Sequence, residues 1–327
     1  MQPLKYDNCP LYGLKSKKML RYLLGINDPN MMKQSYVASL VDPYINNDGK
    51  PRLIEPPRSE LKSIQKQIKK YLSKIEVPSN VFSGIRGRSY ADNALLHTGE
   101  KPRYLFKIDL TAFFPSITRD AVYRFFLNDM FCSPDVSNAL TNFTTVDLRK
   151  ATLKNPQTIY DFLTEKNVTC YNHLISGAPT SPILSYLVNH RVFDEMQTLA
   201  DSAKVTMTIY VDDVTFSCEQ KISRSFKQRV FGIIERYGYQ ISEKKVKSYT
   251  PKYPKLVTGV IIDSSGNLTV KNSLRQNIIA EHKRLREDPS NTKSRQRLRG
   301  LITAARQIKK DAFPTIYRFA LEKASDN

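Results

Sequence analysis

The amino-acid sequence predicts an α+β fold: an antiparallel sheet of split βαβ order, backed by helices and followed by a basic helical lobe. Three observations predict it. The stretch 103-RYLFKIDL-110 opens with a strand pattern that delivers Asp109 at its tip. Further on, 205-VTMTIYVDDVTFS-217 holds two apolar, β-branched runs on either side of a short acidic turn, which is a hairpin signal. Apolar residues at helical spacing lie between and after these strands, so the order from 103 to about 262 reads strand, helix, insert, helix, hairpin, helix, strand.

The elements follow along the chain. Residues 1–50 read as short helices and loops ending in the turn-rich NNDGKP. Residues 59–76 carry Leu61, Ile64, Ile68, Leu72 and Ile75 at intervals of three and four, the spacing of an amphipathic helix with a basic outer face. A Gly- and Arg-rich stretch, 83-SGIRGRSYADNALLH-97, comes next. After the strand ending at Asp109 the chain turns helical from Thr118, a good N-cap. Residues 132–175 read as an irregular insert, 183–200 as one long helix, 205–210 and 214–218 as the hairpin strands, and 221–237 as a helix. The run 256-LVTGVIID-263 reads as a strand closing the sheet. Residues 273–325 are helical and rich in Lys and Arg, with breaks at DPSN (288–291) and FPT (313–315).

Composition narrows the class of partner. The chain has 327 residues, enough to bury a sizeable core, and its 40% hydrophobic content is that of a globular protein. Its charge is unusual: 51 Lys and Arg against 31 Asp and Glu give a formal +20. Such a balance points to a polyanion, nucleic acid ahead of an anionic membrane surface. No apolar run approaches the roughly 18 to 20 residues a span needs, and MQPLKYDNCPLYG has no signal-peptide core. We therefore expect a cytoplasmic protein with no membrane partner. Cys9, Cys132, Cys170 and Cys218 are scattered, without the paired spacing of a zinc site, and are expected to be reduced.

The chemistry centres on three carboxylates. Asp212 and Asp213 sit in the hairpin turn, 103 positions after Asp109 (212 − 109). In a split βαβ sheet the first strand and the hairpin are neighbours, so all three acids converge on one edge. Converging carboxylates are costly unless a cation neutralises them. Hard oxygen donors select Mg²⁺. Two such ions about 3.5–4 Å apart would stabilise both the attacking and the leaving oxygen of a nucleotidyl transfer.

Several blocks carry a resemblance. YVDD (210–213) looks like the catalytic box of reverse transcriptases, KIDLTAFFPSI (107–117) resembles their first catalytic block, and GAPTSP (177–182) resembles their nucleotide-and-template block. The blocks appear in the family's order, from roughly Lys50 to Thr269. The resemblance implies a right-hand polymerase with a ferredoxin-like palm. Fingers would span 1–100 with part of 132–175, the palm 101–255 and a basic helical, RNA-binding thumb 256–327. It implies metal binding by Asp109, Asp212, Asp213 and the Leu110 carbonyl, with two Mg²⁺ ions per site and Mn²⁺ as a substitute. Lys245, or Lys244 in an alternative register, would protonate the leaving pyrophosphate. Lys50 and Arg52 would hold the triphosphate, Phe114 would stack under the sugar and favour dNTPs, and Gly177 and Ala178 would approach the base pair. Arg86 and Arg88 would support the same loop or the template. The family commonly has Gln-Gly before Ala-Pro, whereas this chain has Ser176-Gly177, which puts the direct nucleotide contact in doubt.

Two further blocks resemble bacterial retron reverse transcriptases: NALLH (93–97), matching N-A-x-x-H, and VTG (257–259). On this resemblance Asn93, His97, Val257, Thr258 and Gly259 serve recognition of the cognate RNA. The C-terminal arginines, among them Arg284, Arg295 and Arg299, would grip the RNA backbone. The resemblance implies copying of a structured noncoding RNA into multicopy single-stranded DNA from a 2′-OH guanosine primer. Its partners would be that RNA, the DNA product, dNTPs, a host RNase H and a separate effector in anti-phage defence. The stretch after VTG leaves no room, on this reading, for an RNase H, maturase or HNH domain. Other readings stand beside it: a different defence-associated or group-II-like reverse transcriptase, an RNA-dependent RNA polymerase, or a catalytically idle RNA-binding scaffold.

Overall fold

The structure is a computed structural model that describes residues 4–82 and 84–321. The N-terminal lobe begins with α1 (Lys17–Leu24), capped by the Ser16 hydroxyl and closed by Gly25 in the left-handed region, and α2 (Gln34–Ser39). The strands β1 (Tyr44–Asn46) and β2 (Arg52–Ile54) pair as an antiparallel hairpin with Lys50 and Arg52 near its tip. The amphipathic helix α3 (Ser59–Leu72) forms where the spacing predicts it and buries Leu61, Ile64, Ile68 and Leu72. α4 (Tyr90–Leu95) opens on a capping box between Ser89 and Asp92.

The central sheet starts with β3 (Tyr104–Asp109). α5 (Phe113–Ser116) and α6 (Arg119–Arg124) follow, the second capped by the Thr118 hydroxyl. Residues 132–175 are ordered, not irregular: they form α7 (Pro134–Thr144), β4 (Thr145–Asp147), α8 (Pro156–Glu165) and β5 (Asn172–Leu174). Most of α7 is buried, and its two threonine hydroxyls bond back to carbonyls a turn earlier, Thr141 to Ser137 and Thr144 to Leu140. The long helix expected at 183–200 is two, α9 (Ser181–Val188) and α10 (His190–Ser202). Asn189 breaks it, donating its amide to the Ser185 carbonyl and accepting from the Tyr239 hydroxyl.

The hairpin strands are β6 (Thr206–Tyr210) and β7 (Asp213–Cys218), followed by α11 (Arg224–Arg236) and β8 (Lys247–Tyr249). The four-stranded sheet has the order β6-β7-β3-β8, every pair antiparallel, which is the split βαβ order. Its last strand is β8 and not the 256–263 run. That run folds on itself as β9 (Lys255–Val257) and β10 (Val260–Ile262), because Thr258 and Gly259 both take positive φ, the requirement of a tight hairpin turn. β11 (Leu268–Val270) completes this small sheet. α12 (Asn272–Glu287), α13 (Thr292–Ile308) and α14 (Pro314–Leu321) form the C-terminal lobe, broken where the sequence predicts.

Two apolar cores result. The larger joins the N-terminal lobe to the central sheet. The smaller gathers Val257, Val260, Ile278, Leu285, Leu298 and Ile302, and also draws in Ala91 and Ala94 of α4 and Leu105 of β3. α4 therefore packs with the C-terminal lobe rather than with the elements that precede it.

Candidate active site

The register of β3 against β7 sets Asp109 directly opposite Asp213. The Leu110 N–H donates to the Asp212 carbonyl at 2.9 Å, which draws the turn onto the end of β3. Val211, a β-branched residue, sits in that turn at φ 59°, a strained conformation that only a firmly held hairpin sustains. Three carboxylate-bearing residues thus meet at one sheet edge, as the sequence predicts.

Their environment is tense. Burial first, then the Asp109 carboxylate, pushes the Asp212 carboxyl up to about 6. Burial likewise raises Asp213, opposed by the Lys107 ammonium. Lys107 Nζ lies 2.5 Å from Asp213 Oδ2, and Lys245 Nζ donates to Asp109 Oδ1. Among the described residues no three His, Cys, Asp or Glu side chains stand gathered as a metal cluster. The donor set is nonetheless all oxygen, and burial disfavours charge on Asp212 and Asp213, which fits a hard divalent cation.

Lys107 is absent from the sequence reading. Its signal is there, because in a strand it shares a face with Asp109 two residues on. Lys245, expected at a leaving group, donates to Asp109 Oδ1 at the end of β3. Phe113 is core, 4% exposed and packed on Phe193 and Tyr239, while Phe114 beside it is half-buried. Lys50 and Arg52 are exposed. Gly177 has φ +110°, a conformation that L side chains rarely adopt, and Ala178 is buried. Ser176 does not reach outward; its hydroxyl donates to the Leu53 carbonyl at 2.8 Å.

Several residues assigned to RNA do other work. His97 is fully enclosed, its ring nitrogens 2.8 Å from the Ser217 hydroxyl and 2.7 Å from that of Thr208. The Asn93 amide donates to the Thr258 hydroxyl, which donates in turn to the Tyr90 carbonyl. Asn93, His97 and Val257 are buried, so their side chains cannot meet RNA directly. They join the YVDD hairpin, α4 and the β9–β10 turn instead. Arg88 likewise is spent on the carbonyls of Val77, Pro78 and Val81, while Arg86 is exposed. In the C-terminal lobe Arg284 and Arg297 both reach the buried Glu281, Arg295 donates to the Pro289 carbonyl and Arg299 to that of Ala320. A guanidinium carries five donors, and the side chains of Arg284 and Arg297 remain over 60% exposed, so packing and phosphate contact are compatible there.

An acidic sheet edge of split βαβ order in so basic a chain is the arrangement of a nucleic-acid polymerase. The family model described as "Reverse transcriptase (RNA-dependent DNA polymerase)" matches residues 44–279, and the chain belongs to that family. The resemblance to retron enzymes is borne out by its relatives. The chain is 29% identical to the Retron Se72 reverse transcriptase of Salmonella heidelberg (strain 579083-10), over 75% of this chain and 59% of that one. It is 28% identical to the Retron Ec86 reverse transcriptase of Escherichia coli, over 64% and 58% of the two chains. For the Retron Mx65 reverse transcriptase of Myxococcus xanthus the identity is 27%, over 75% and 55%. The match thus spans less than two thirds of each relative's length. Among the described residues no helix is long and apolar enough to cross a membrane.

Proposed function

We propose that the protein is an RNA-directed DNA polymerase of the retron type. It copies its own structured noncoding RNA into single-stranded DNA, starting from the 2′-OH of an internal guanosine. The observation that carries this reading is the register that brings Asp109, Asp212 and Asp213 to one sheet edge in a family of reverse transcriptases.

Asp109, Asp212, Asp213 and the Leu110 carbonyl would hold two Mg²⁺ ions. Bound there, the ions lower the cost of charge on the attacking and leaving oxygens. The chain's own residues do the rest. Lys50 and Arg52, exposed near the tip of the β1–β2 hairpin, bind the triphosphate in the part of the chain that acts as fingers. Phe114 presents its half-buried ring to the sugar and disfavours a 2′-OH. Gly177 lets backbone approach the base pair. Lys245, whose ammonium donates to Asp109 Oδ1, is the group that would give a proton to the leaving pyrophosphate. The helical C-terminal lobe grips RNA through phosphate and 2′-OH contacts, as a thumb. A host RNase H removes the template, and a separate effector joins the complex in defence against phage.

The test is product chemistry. The protein purified with its bound nucleic acid should carry DNA joined to RNA by a debranchable 2′,5′ bond. Asp212→Asn with Asp213→Asn should abolish synthesis and leave RNA binding intact. DNA attached to a tyrosine, or extension with rNTPs in preference to dNTPs, would overturn the reading.

A further inference from the structure

Glu55 and His173 are both fully buried, and His173 Nε2 lies 2.9 Å from Glu55 Oε1. Such a pair costs stability unless its remaining polar atoms are met. Here they are met in detail. Glu55 Oε2 accepts the Ser176 N–H at 2.6 Å, and the Glu55 N–H donates to the Ser176 carbonyl at 2.6 Å. The Ser176 hydroxyl holds the Leu53 carbonyl, and His173 Nδ1 lies 3.1 Å from the Cys170 carbonyl. Both ring nitrogens of His173 thus lie against oxygens, one against the Glu55 carboxyl and the other against the Cys170 carbonyl.

The location gives these bonds their meaning. Glu55 directly follows β2, whose hairpin carries Lys50 and Arg52. His173 lies in β5, which leads into Ser176 and Gly177. The same strand touches the end of α5, where the Leu174 N–H donates to the Ile117 carbonyl and Thr118 bridges His173. Three segments that the proposed function gives to the incoming nucleotide therefore meet at one buried pair.

We propose that Glu55, His173 and Ser176 form a buried positioning unit that fixes the Lys50–Arg52 hairpin against the Gly177–Ala178 loop and thereby sets affinity for a deoxynucleoside triphosphate. None of the three needs to touch the nucleotide. The inference rests on the nucleotide-binding reading of that hairpin and loop, and its test separates the two.

Full-length Ser176→Ala, Glu55→Gln and the conservative Ser176→Thr are compared with wild type by three measurements. Hydrogen–deuterium exchange over residues 44–54 reads the hairpin in the free protein, primer extension reads KM for dNTP against kcat, and thermal melting reads the fold. Ser176→Ala should speed exchange in 44–54 and raise KM for dNTP about 3- to 10-fold, the effect of one lost hydrogen bond. Its kcat should stay within about two-fold, since no transition-state contact is removed. Glu55→Gln should do the same more strongly, and Ser176→Thr should return KM to wild type. Unchanged exchange and KM in both Ser176→Ala and Glu55→Gln overturn the proposal, as does a fall in kcat that tracks melting and is not rescued by threonine. If wild type itself fails to incorporate dNTPs while exchange responds, the nucleotide reading falls and takes the affinity claim with it, leaving only the clamp. If wild type is active and exchange does not respond, the positioning unit alone falls.

Discussion

Acidification from pH 7 to pH 5 should remove about 2 kcal/mol of stability through one side chain, His97. Its imidazole is wedged between two hydroxyls on the strands that carry the YVDD turn. Burial first, and then the nearby Arg103 charge, pushes its pKa from 6.5 down to about 3. The folded ring therefore stays neutral while the unfolded ring protonates. For a group depressed on folding, the contribution is complete above 6.5 and is lost as pH falls toward 3. At pH 5 the loss covers about 1.5 pH units, or about 2 kcal/mol at 1.36 kcal/mol per unit. Urea denaturation at pH 7, 6 and 5 of wild type and of His97→Gln isolates the effect. Other groups titrate in the same window, His173 with the opposite sign. Burial alone would lower its pKa, but Glu55, together with the Cys170 carbonyl and Asp147, raises it, so its contribution is full below 6.5 and fades as pH rises through the folded value. That change is common to both proteins and cancels in the comparison. If His97→Gln loses as much stability as wild type between pH 7 and pH 5, the buried neutral histidine is refuted.

Three other outcomes are expected. DNA synthesis should fall as pH drops through about 6, where Asp212 takes up its proton. Raising Mg²⁺ should move that midpoint lower, and a midpoint indifferent to metal concentration would dissociate Asp212 from cation binding. Lys107→Ala should melt below wild type without divalent cations, because Asp213 loses its partner at a cost of roughly 1–3 kcal/mol. Added Mn²⁺ should restore it more than it raises wild type, read by calorimetry. Neutralising the exposed Lys283, Arg286 and Lys293 together should weaken RNA binding and flatten its salt dependence, by roughly 0.7–0.9 in log–log slope for each phosphate no longer neutralised.

What was legible in the sequence was local. Strand period and a tight turn gave β3, β6, β7 and the meeting of Asp109 with Asp212 and Asp213, because sheet register follows from side-chain alternation. Thr118 and the DPSN and FPT breaks marked helix ends correctly. Misreadings arose where a local signal had two meanings. VTG looked like strand interior because Val and the following Val-Ile-Ile are β-formers, but positive φ at Thr258 and Gly259 makes it a turn. α7 looked irregular because Ser and Thr are loop residues unless their hydroxyls bond back along the helix. Nothing local announces Glu55 with His173, 118 positions apart, or His97 with Ser217, 120 apart. Those pairings exist only once the sheet and its flanking lobes have assembled.

NALLH and VTG are tied to the strands of the YVDD hairpin by side-chain bonds. β6 and β7 must hold Asp212 in a turn strained at Val211, and strain persists only where the surroundings over-determine the backbone. Thr208 and Ser217 lie back along those strands from the turn, and His97 bonds to both. The helix just before it, α4, is joined through Asn93 to Thr258 and through Tyr90 to the Ala304 carbonyl. One end of this series is the carboxylate turn and the other is the basic helical lobe. If the lobe grips RNA as proposed, a side chain buried in this series would act on RNA through the lobe's placement relative to the three carboxylates. His97→Gln and Asn93→Ala should therefore alter how RNA is positioned for synthesis more than how tightly it binds, whereas surface charges such as Lys283 should do the reverse.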